Sequence, residues 1–196
     1  MSAQASGRAL LGVIKSVKER GGDDALTKVL AACEPATRDV LEKKVRASEW
    51  YPYDSFVGLL RAAERALGSG DRKLCRELGA MGGKRDIGTA FRVFAAVASP
   101  ERLIRGCRLV WPAYYRNAGT MEALAWMPER TVLRISGFPE MHPTHCRLME
   151  GWMISTMEAI GCHVHPGGRE TECASRGGTH HEFSCTWSRK ADVASK

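Results

Sequence analysis

The segment TMEALAWMPERTVLRIS (residues 120–136) decides the fold class, because the chain changes period there. Upstream of Gly119, apolar residues recur every three or four positions; from Thr120 they begin to alternate. TMEALAW (120–126) and RTVLRIS (130–136) read as two strands joined by MPER as a hairpin turn. Downstream, CRLMEGWMISTMEAIG regains helical spacing through Leu148, Trp152, Met153, Met157 and Ile160, and Gly161 ends it. CHVHPGGRETEC and HHEFSCTW then read as two more strands around the loop ASRGGT. The order over 119–188 is β-β-α-β-β, and 189–196 reads as a disordered tail.

Working backwards, residues 7–117 read as helices. Leu10, Leu11, Ile14 and Val17 form one stripe, stopped by Gly21-Gly22; Leu26, Val29 and Leu30 form the next, which ends before Pro35. Thr37 is expected to cap a third helix carrying Val40, Leu41 and Val45. Phe56, Leu59, Leu60, Ala63 and Leu67 share a face of a longer helix that opens near Pro52. A helix from Asp71 holds Leu74, Cys75 and Leu78. It is expected to break in GAMGG (79–83), since each helical glycine costs about 1 kcal/mol. Helicity resumes through Ile87, Phe91, Phe94 and Val97, and again from Pro100 to about Asn117. Helices grouped ahead of an antiparallel sheet predict a single α+β domain over 1–196.

Composition excludes several classes. Of 196 residues, 44% are hydrophobic and 26% charged, which is globular rather than disordered. No run approaches ~18 apolar residues, so no membrane span is expected, and the N-terminal apolar stretch is too short for a signal peptide. A cytoplasmic location follows as an expectation. The net charge of +7 is spread along helix faces without a run of like charge, and no nucleic-acid partner is expected.

The chemistry lies near the C-terminus. Cys33, Cys75 and Cys107 sit in apolar helical patterns as small buried hydrophobes, whereas Cys146, Cys162, Cys173 and Cys185 come later, along with all 6 histidines. Phosphate loops, nucleophile elbows and HExxH are absent. Strand parity puts His181, Phe183, Cys185 and Trp187 on one face, making Cys185 a core thiol. His163 and His165 share an outer, solvated face. Cys146 falls in a first helical turn, where the helix dipole favours thiolate. Glu170 and Cys173, in RETEC, flank the loop before His181. If the helix brings Cys146 alongside, Cys146, Glu170, Cys173 and His181 give zinc the tetrahedral set S₂NO. Glu170 and Cys173 would face opposite ways on a regular strand, so the strand must bulge or end between them.

The same residues carry a resemblance. From Phe138 to Trp187 the chain resembles the 4-vinyl-reductase-like domain, the small-molecule-sensing part of phenol- and toluene-responsive activators. The matching features are the cysteine opening CRLMEGW, RETEC, Gly177 four residues after Cys173, and HEFSCTW. The family's zinc set of one glutamate and three cysteines carries over to Cys146, Glu170, Cys173 and His181, with histidine replacing the last cysteine. Residues 8–187 also resemble a family abundant in myxobacteria, through Trp50-Tyr51-Pro52, SPERLIRGCRLVWPAYY, Gly137-Phe138-Pro139 and His142-Pro143. That family is grouped with the heme-NO-binding-associated, TRAPP-subunit and vinyl-reductase-like domains. The resemblance implies a ligand-binding α+β fold that often dimerises. HPTHC would offer His142 or His145 to haem as an axial ligand.

These readings converge on a non-enzymatic sensor or ligand-binding module. A hydrophobic small molecule, aromatic or acyl, would lie between helices and sheet, lined by Trp111, Tyr114, Tyr115, Trp126, Phe138 and Trp152, with structural zinc pinning the hairpin. No nucleophile with a paired base is visible, and four protein ligands leave zinc no open position for water. A homodimer is expected through the apolar helices at 53–67 and 87–97, and signal output would pass to a protein partner or through the dimer. The alternative is a TRAPP-subunit-like interaction scaffold with a closed core.

Overall fold

The computed structural model describes residues 2–89, 104–127 and 130–189. Strand β1 (Gln4–Ser6) leads into α1 (Gly7–Ala32), α2 (Pro35–Glu42), β2 (Trp50–Pro52), α3 (Tyr53–Leu67) and α4 (Lys73–Thr89). Helix α5 (Cys107–Tyr114) runs directly into β3 (Tyr115–Arg116), followed by β4 (Thr120–Met127) and β5 (Arg130–Ser136). After α6 (Pro143–Ala159) come β6 (Cys162–Val164), β7 (Arg169–Glu172), β8 (His181–Cys185) and β9 (Trp187–Arg189). No helix among the described residues is long and apolar enough to cross a membrane.

The architecture is α+β, with corrections to the expected order. The main sheet is antiparallel, β4-β5-β8-β7, while β6 and β9 pair separately. The strand expected at 162–173 is two strands, because Pro166 cannot donate to a ladder and Gly167 turns the chain at φ +108°. The simple ββαββ order is therefore lengthened, and pairing extends to Arg189 rather than stopping at 188. A third sheet, β2-β1-β3, ties the N-terminus to the chain on either side of the helices.

Helix α1 kinks where expected, at Gly21 (φ −151°) and Gly22 (φ +70°). Thr37 is not a cap. It is buried inside α2, in whose first turn Pro35 stands, and its side chain fills the space beside Gly58. The helix expected to run to Asn117 ends at Tyr114, since Tyr115 pairs with Ala5. The largest correction is α4, which runs unbroken through the glycines. A Cβ at Gly79 would lie 1.9 Å from the Leu148 carbonyl oxygen, and one at Gly151 would lie 1.9 Å from that of Arg76. The glycines let α4 and α6 cross backbone to backbone, and the dispersion gained across that contact offsets their propensity cost.

The apolar face of α3 is covered within the chain: Phe56, Leu59, Leu60, Ala62 and Ala63 are at most 1% exposed. It needs no second copy to bury it, which removes one ground for the dimer expected from the sequence. The other ground, the face at 87–97, lies outside the described residues except for the backbone of 87–89.

Candidate functional site

Helix α6 carries two sites, one at its first turn and one along its middle. At the first turn, His142 caps the helix by accepting from the Thr144 backbone N–H at 3.2 Å. Cys146 therefore points off the first turn toward the β7–β8 hairpin. The register of β7 against β8 shifts between Glu170 and Glu172, and Cys173 lies just past the strand end, at the mouth of a short 3₁₀ turn (Ala174–Arg176). Bulge and strand end together turn Glu170 and Cys173 to the same side, as their chemistry requires. His181 is the first residue of β8, on its buried face.

One ligand atom from each of Cys146, Glu170, Cys173 and His181 falls within 4.8 Å of all the others, and all four residues are buried. Cys146 Sγ is 4.0 Å from Cys173 Sγ and 3.4 Å from His181 Nδ1, which is 3.4 Å from Glu170 Oε1. A tetrahedral ion with bonds of about 2.3 Å to sulfur and 2.0 Å to nitrogen or oxygen spaces its donors by roughly 3.8 Å (S to S), 3.5 Å (S to N) and 3.3 Å (N to O). These three separations fall within a few tenths of an ångström of those edges.

The surroundings orient the donors. His181 Nε2 lies 3.1 Å from the Phe138 carbonyl, which can only accept. In the neutral ring the proton is therefore on Nε2 and the Nδ1 lone pair faces the cluster. Arg176 donates to Glu170 Oε2 at 2.7 Å, and the Glu170 backbone N–H donates to Glu150 Oε1 at 2.7 Å. Burial alone would raise the Glu170 carboxyl. The contact with His181, which donates to it only when the ring is protonated, hydrogen bonds from Cys146 and Cys173, and the charge of Arg176 outweigh it and hold the group below its ordinary range. Burial, then the Glu170 carboxylate, pushes the Cys146 thiol far up, so the helix dipole does not by itself give the thiolate expected from the sequence. Two sulfurs, a lone pair and a carboxylate facing one centre make a cation-binding donor set, and a bound cation reverses that thiol balance.

The second site is a largely apolar cavity of about 430 Å³, open on one side, among α1, α4, α5 and α6. Trp111, Tyr114, Tyr115 and Trp152 line it, with Leu11, Val13, Phe56, Leu78, Met121 and Met149. Phe138 does not; it is 1% exposed in the core behind, against Tyr53. Trp126 lies in β4, with its side chain outside the described ones. Asp86 was missed from the sequence. Its carboxylate lines the cavity, accepting from Trp152 Nε1 at 2.9 Å and from the Tyr114 hydroxyl at 3.1 Å. Burial raises its pKa, and the two hydrogen bonds, with the charge of Arg85, only partly offset that. The signal was present, because Cys75, Gly79, Gly82 and Asp86 follow one helical stripe. The expected break at 79–83 hid it.

No histidine or cysteine lines the cavity among the described residues. His145 stands behind it, 0% exposed, sharing a hydrogen bond with the Tyr53 hydroxyl (3.0 Å) and walled off by Phe56, Trp111 and Tyr115. Burial lowers its pKa to about 3, so the ring is neutral.

No protein-family model matches this chain, and no curated protein matches it. Solved structures do. An H-NOX protein from S. oneidensis in the Fe(II) state superposes with a TM-score of 0.71 at 12% identity, over 94% of this chain and 96% of that one. The fold is that of the H-NOX domains. An oxygen-binding H-NOX domain related to soluble guanylate cyclases, in its oxygen complex, matches with a TM-score of 0.66 at 12% identity, over 93% of this chain and 94% of that one. A structure described as modulating haem redox potential through porphyrin distortion matches at 0.64 and 10%, over 93% and 99%. The H-NOX likeness supports the heme-NO-binding side of the sequence resemblance. It speaks for neither the vinyl-reductase-like nor the TRAPP-subunit side.

Proposed function

We propose that this chain is a non-enzymatic small-molecule sensor or binding module that uses the H-NOX fold without haem. In this reading zinc is held by Cys146, Glu170, Cys173 and His181, and a largely apolar ligand sits in the cavity between the helices. The observation that carries it is the shared helix: α6 presents Cys146 to the four-donor cluster, and Met149 and Trp152 to the cavity, within two turns. Occupancy of one site therefore bears on the positioning of the other. With four protein donors the ion has no open position, which suits a structural role. The 430 Å³ cavity argues against the closed-core scaffold.

Haem does not fit the residues present. Haem iron takes an axial His, Cys, Tyr or Met. Residues 90–103, AFRVFAAVASPERL, contain none of these. Tyr114 is hydrogen-bonded to Asp86, and burial pushes the Tyr115 hydroxyl well above its ordinary pKa, opposite to what a tyrosinate ligand needs. Met121 and Met149 remain without a histidine to oppose them. The test is titration of purified protein with hemin beside a panel of phenols, amines and fatty acids. Melting temperature and tryptophan fluorescence are the readouts. Stabilisation by a panel member without a haem Soret band supports the reading; stoichiometric haem uptake overturns it. A homodimer or another protein would receive the signal, and sedimentation at tens of micromolar tests for the former.

A further inference from the structure

Asp86 is an unusual wall for an apolar cavity. An ionised carboxylate surrounded by Leu, Met and aromatic side chains is costly unless a cation or several donors meet it. Its donors are Trp152 and Tyr114, both neutral, and among the described residues it has no ion-pair partner. The neighbouring Arg85 also lines the cavity and lowers the Asp86 pKa through its charge, but its guanidinium is committed elsewhere: it donates to Gly12 O and Ser16 Oγ at 3.0 Å each and pairs with Glu19 at 3.0 Å. Lys15, also on the lining, lies 3.9 Å from the same Glu19, and Arg8 stands at the exposed rim. Among the described residues no cation therefore contacts the carboxylate, and the more distant charge of Arg85 only partly offsets its burial; the rim cations Arg8 and Lys15 are exposed, and Lys15 lies near Glu19.

A second observation points the same way. Tyr115 is only 6% exposed and lines the cavity, yet its hydroxyl has no hydrogen-bond partner among the described residues. Trp111, by contrast, gives its Nε1–H to the Ala118 carbonyl at 3.0 Å, so the other aromatic polar tips are already spent. The cavity thus offers a ligand one anionic acceptor, one vacant hydroxyl and aromatic faces that attract cations.

We infer that the cavity binds an organic amine, whose ammonium meets Asp86 while its aromatic or other apolar body lies among Trp111, Tyr114 and Trp152. The inference rests on the ligand-binding reading above and deepens it by fixing the ligand class. Trp152 and Tyr114 hold the carboxylate so that its outer lone pairs face the cavity, and Tyr115 supplies a further polar contact. An anionic ligand of the same body would meet repulsion at Asp86. A neutral alcohol would forgo the charge-assisted bond.

Three probes with one body and different heads test this: phenethylamine, phenethyl alcohol and hydrocinnamate. Binding is followed by tryptophan fluorescence and by melting temperature on the full chain. Wild type is expected to bind the amine about tenfold or more tighter than either other probe, the worth of one hydrogen bond to a charged group. In Asp86→Asn, checked for fold by circular dichroism, that preference should vanish while alcohol affinity stays within about twofold. Alcohol or carboxylate binding as tightly as the amine in wild type overturns the amine assignment and leaves the cavity reading standing. The same holds if Asp86→Asn keeps the amine preference. If none of the three probes changes either signal, the amine inference falls, and the ligand-binding reading falls with it only if the phenols and fatty acids of the wider panel are silent too.

Discussion

The two ends of α6 solve opposite problems. At the first turn, four polar ligands are buried and point at each other, and three of them are held from outside: Phe138 O holds His181, Arg176 holds Glu170, and Ser175 Oγ lies 3.0 Å from Cys173 Sγ. Along the middle, mostly apolar groups surround space, and among the described residues no cation contacts the one carboxylate on its lining. The first arrangement suits a single ion. The second suits a larger, partly polar guest. A site whose donors converge within a few ångströms is built for a metal; one whose polar groups sit apart on apolar walls is built for a molecule.

Breaking the metal end should have the largest effect. Cys173→Ser removes one sulfur and leaves the remaining donors unbalanced. It is expected to abolish stoichiometric zinc binding and to cost about 4 kcal/mol at free zinc a thousandfold above Kd, read by denaturant unfolding with and without chelator. If chelator lowers wild-type stability no more than it lowers that of the mutant, the cluster does not bind metal.

The α4–α6 crossing joins the two ends, so disturbing it should damage both. Gly79→Ala places a Cβ against the Leu148 carbonyl and should destabilise by about 3 kcal/mol. Gly12→Ala is the contrast, since its Cβ meets only the tip of Arg85 at 3.9 Å. It should fold normally and merely narrow the cavity, weakening ligand binding. Equal effects from the two alanines would contradict the crossing.

Within the cavity wall, Trp111 is 3% exposed and stacks on His145, whereas Trp152 is half-buried. Trp111→Ala should cost about 3–5 kcal/mol as a core truncation. Trp152→Ala should cost about 1–2 kcal/mol while losing ligand response. Similar losses of stability would mean that both tryptophans are simply core.

The smallest effect has the more diagnostic sign. Burial raises the folded pKa of Asp86 above its unfolded value, so ionisation opposes folding, and the penalty disappears as pH falls through the folded pKa. Asp86→Asn should therefore stabilise by about 1 kcal/mol at neutral pH, with the gain shrinking in acid. A destabilised variant at neutral pH would mean that the carboxylate is structural rather than held for a guest.

The convergence of the four donors was legible in the sequence because its signal is local. RETEC, a glycine loop and a strand of known parity place Glu170, Cys173 and His181, and a cysteine in a first helical turn supplies the rest. The cavity was half legible. Trp111, Tyr114, Tyr115 and Trp152 could be named as aromatics near the helix–sheet junction, but Phe138 went to the core. Asp86 was hidden because glycine propensity predicted a break that tertiary packing overrides. The small β2-β1-β3 sheet left no local trace, since strands of two and three residues are stabilised by the partners that tertiary folding brings together.

The proposal at the centre of this account is that the H-NOX fold here takes zinc at its last hairpin and no haem. It is tested most directly by elemental analysis and the visible spectrum of protein purified without chelator. The account predicts about one zinc per chain and no porphyrin absorbance. Zinc-free protein, or iron porphyrin at comparable stoichiometry, would contradict it.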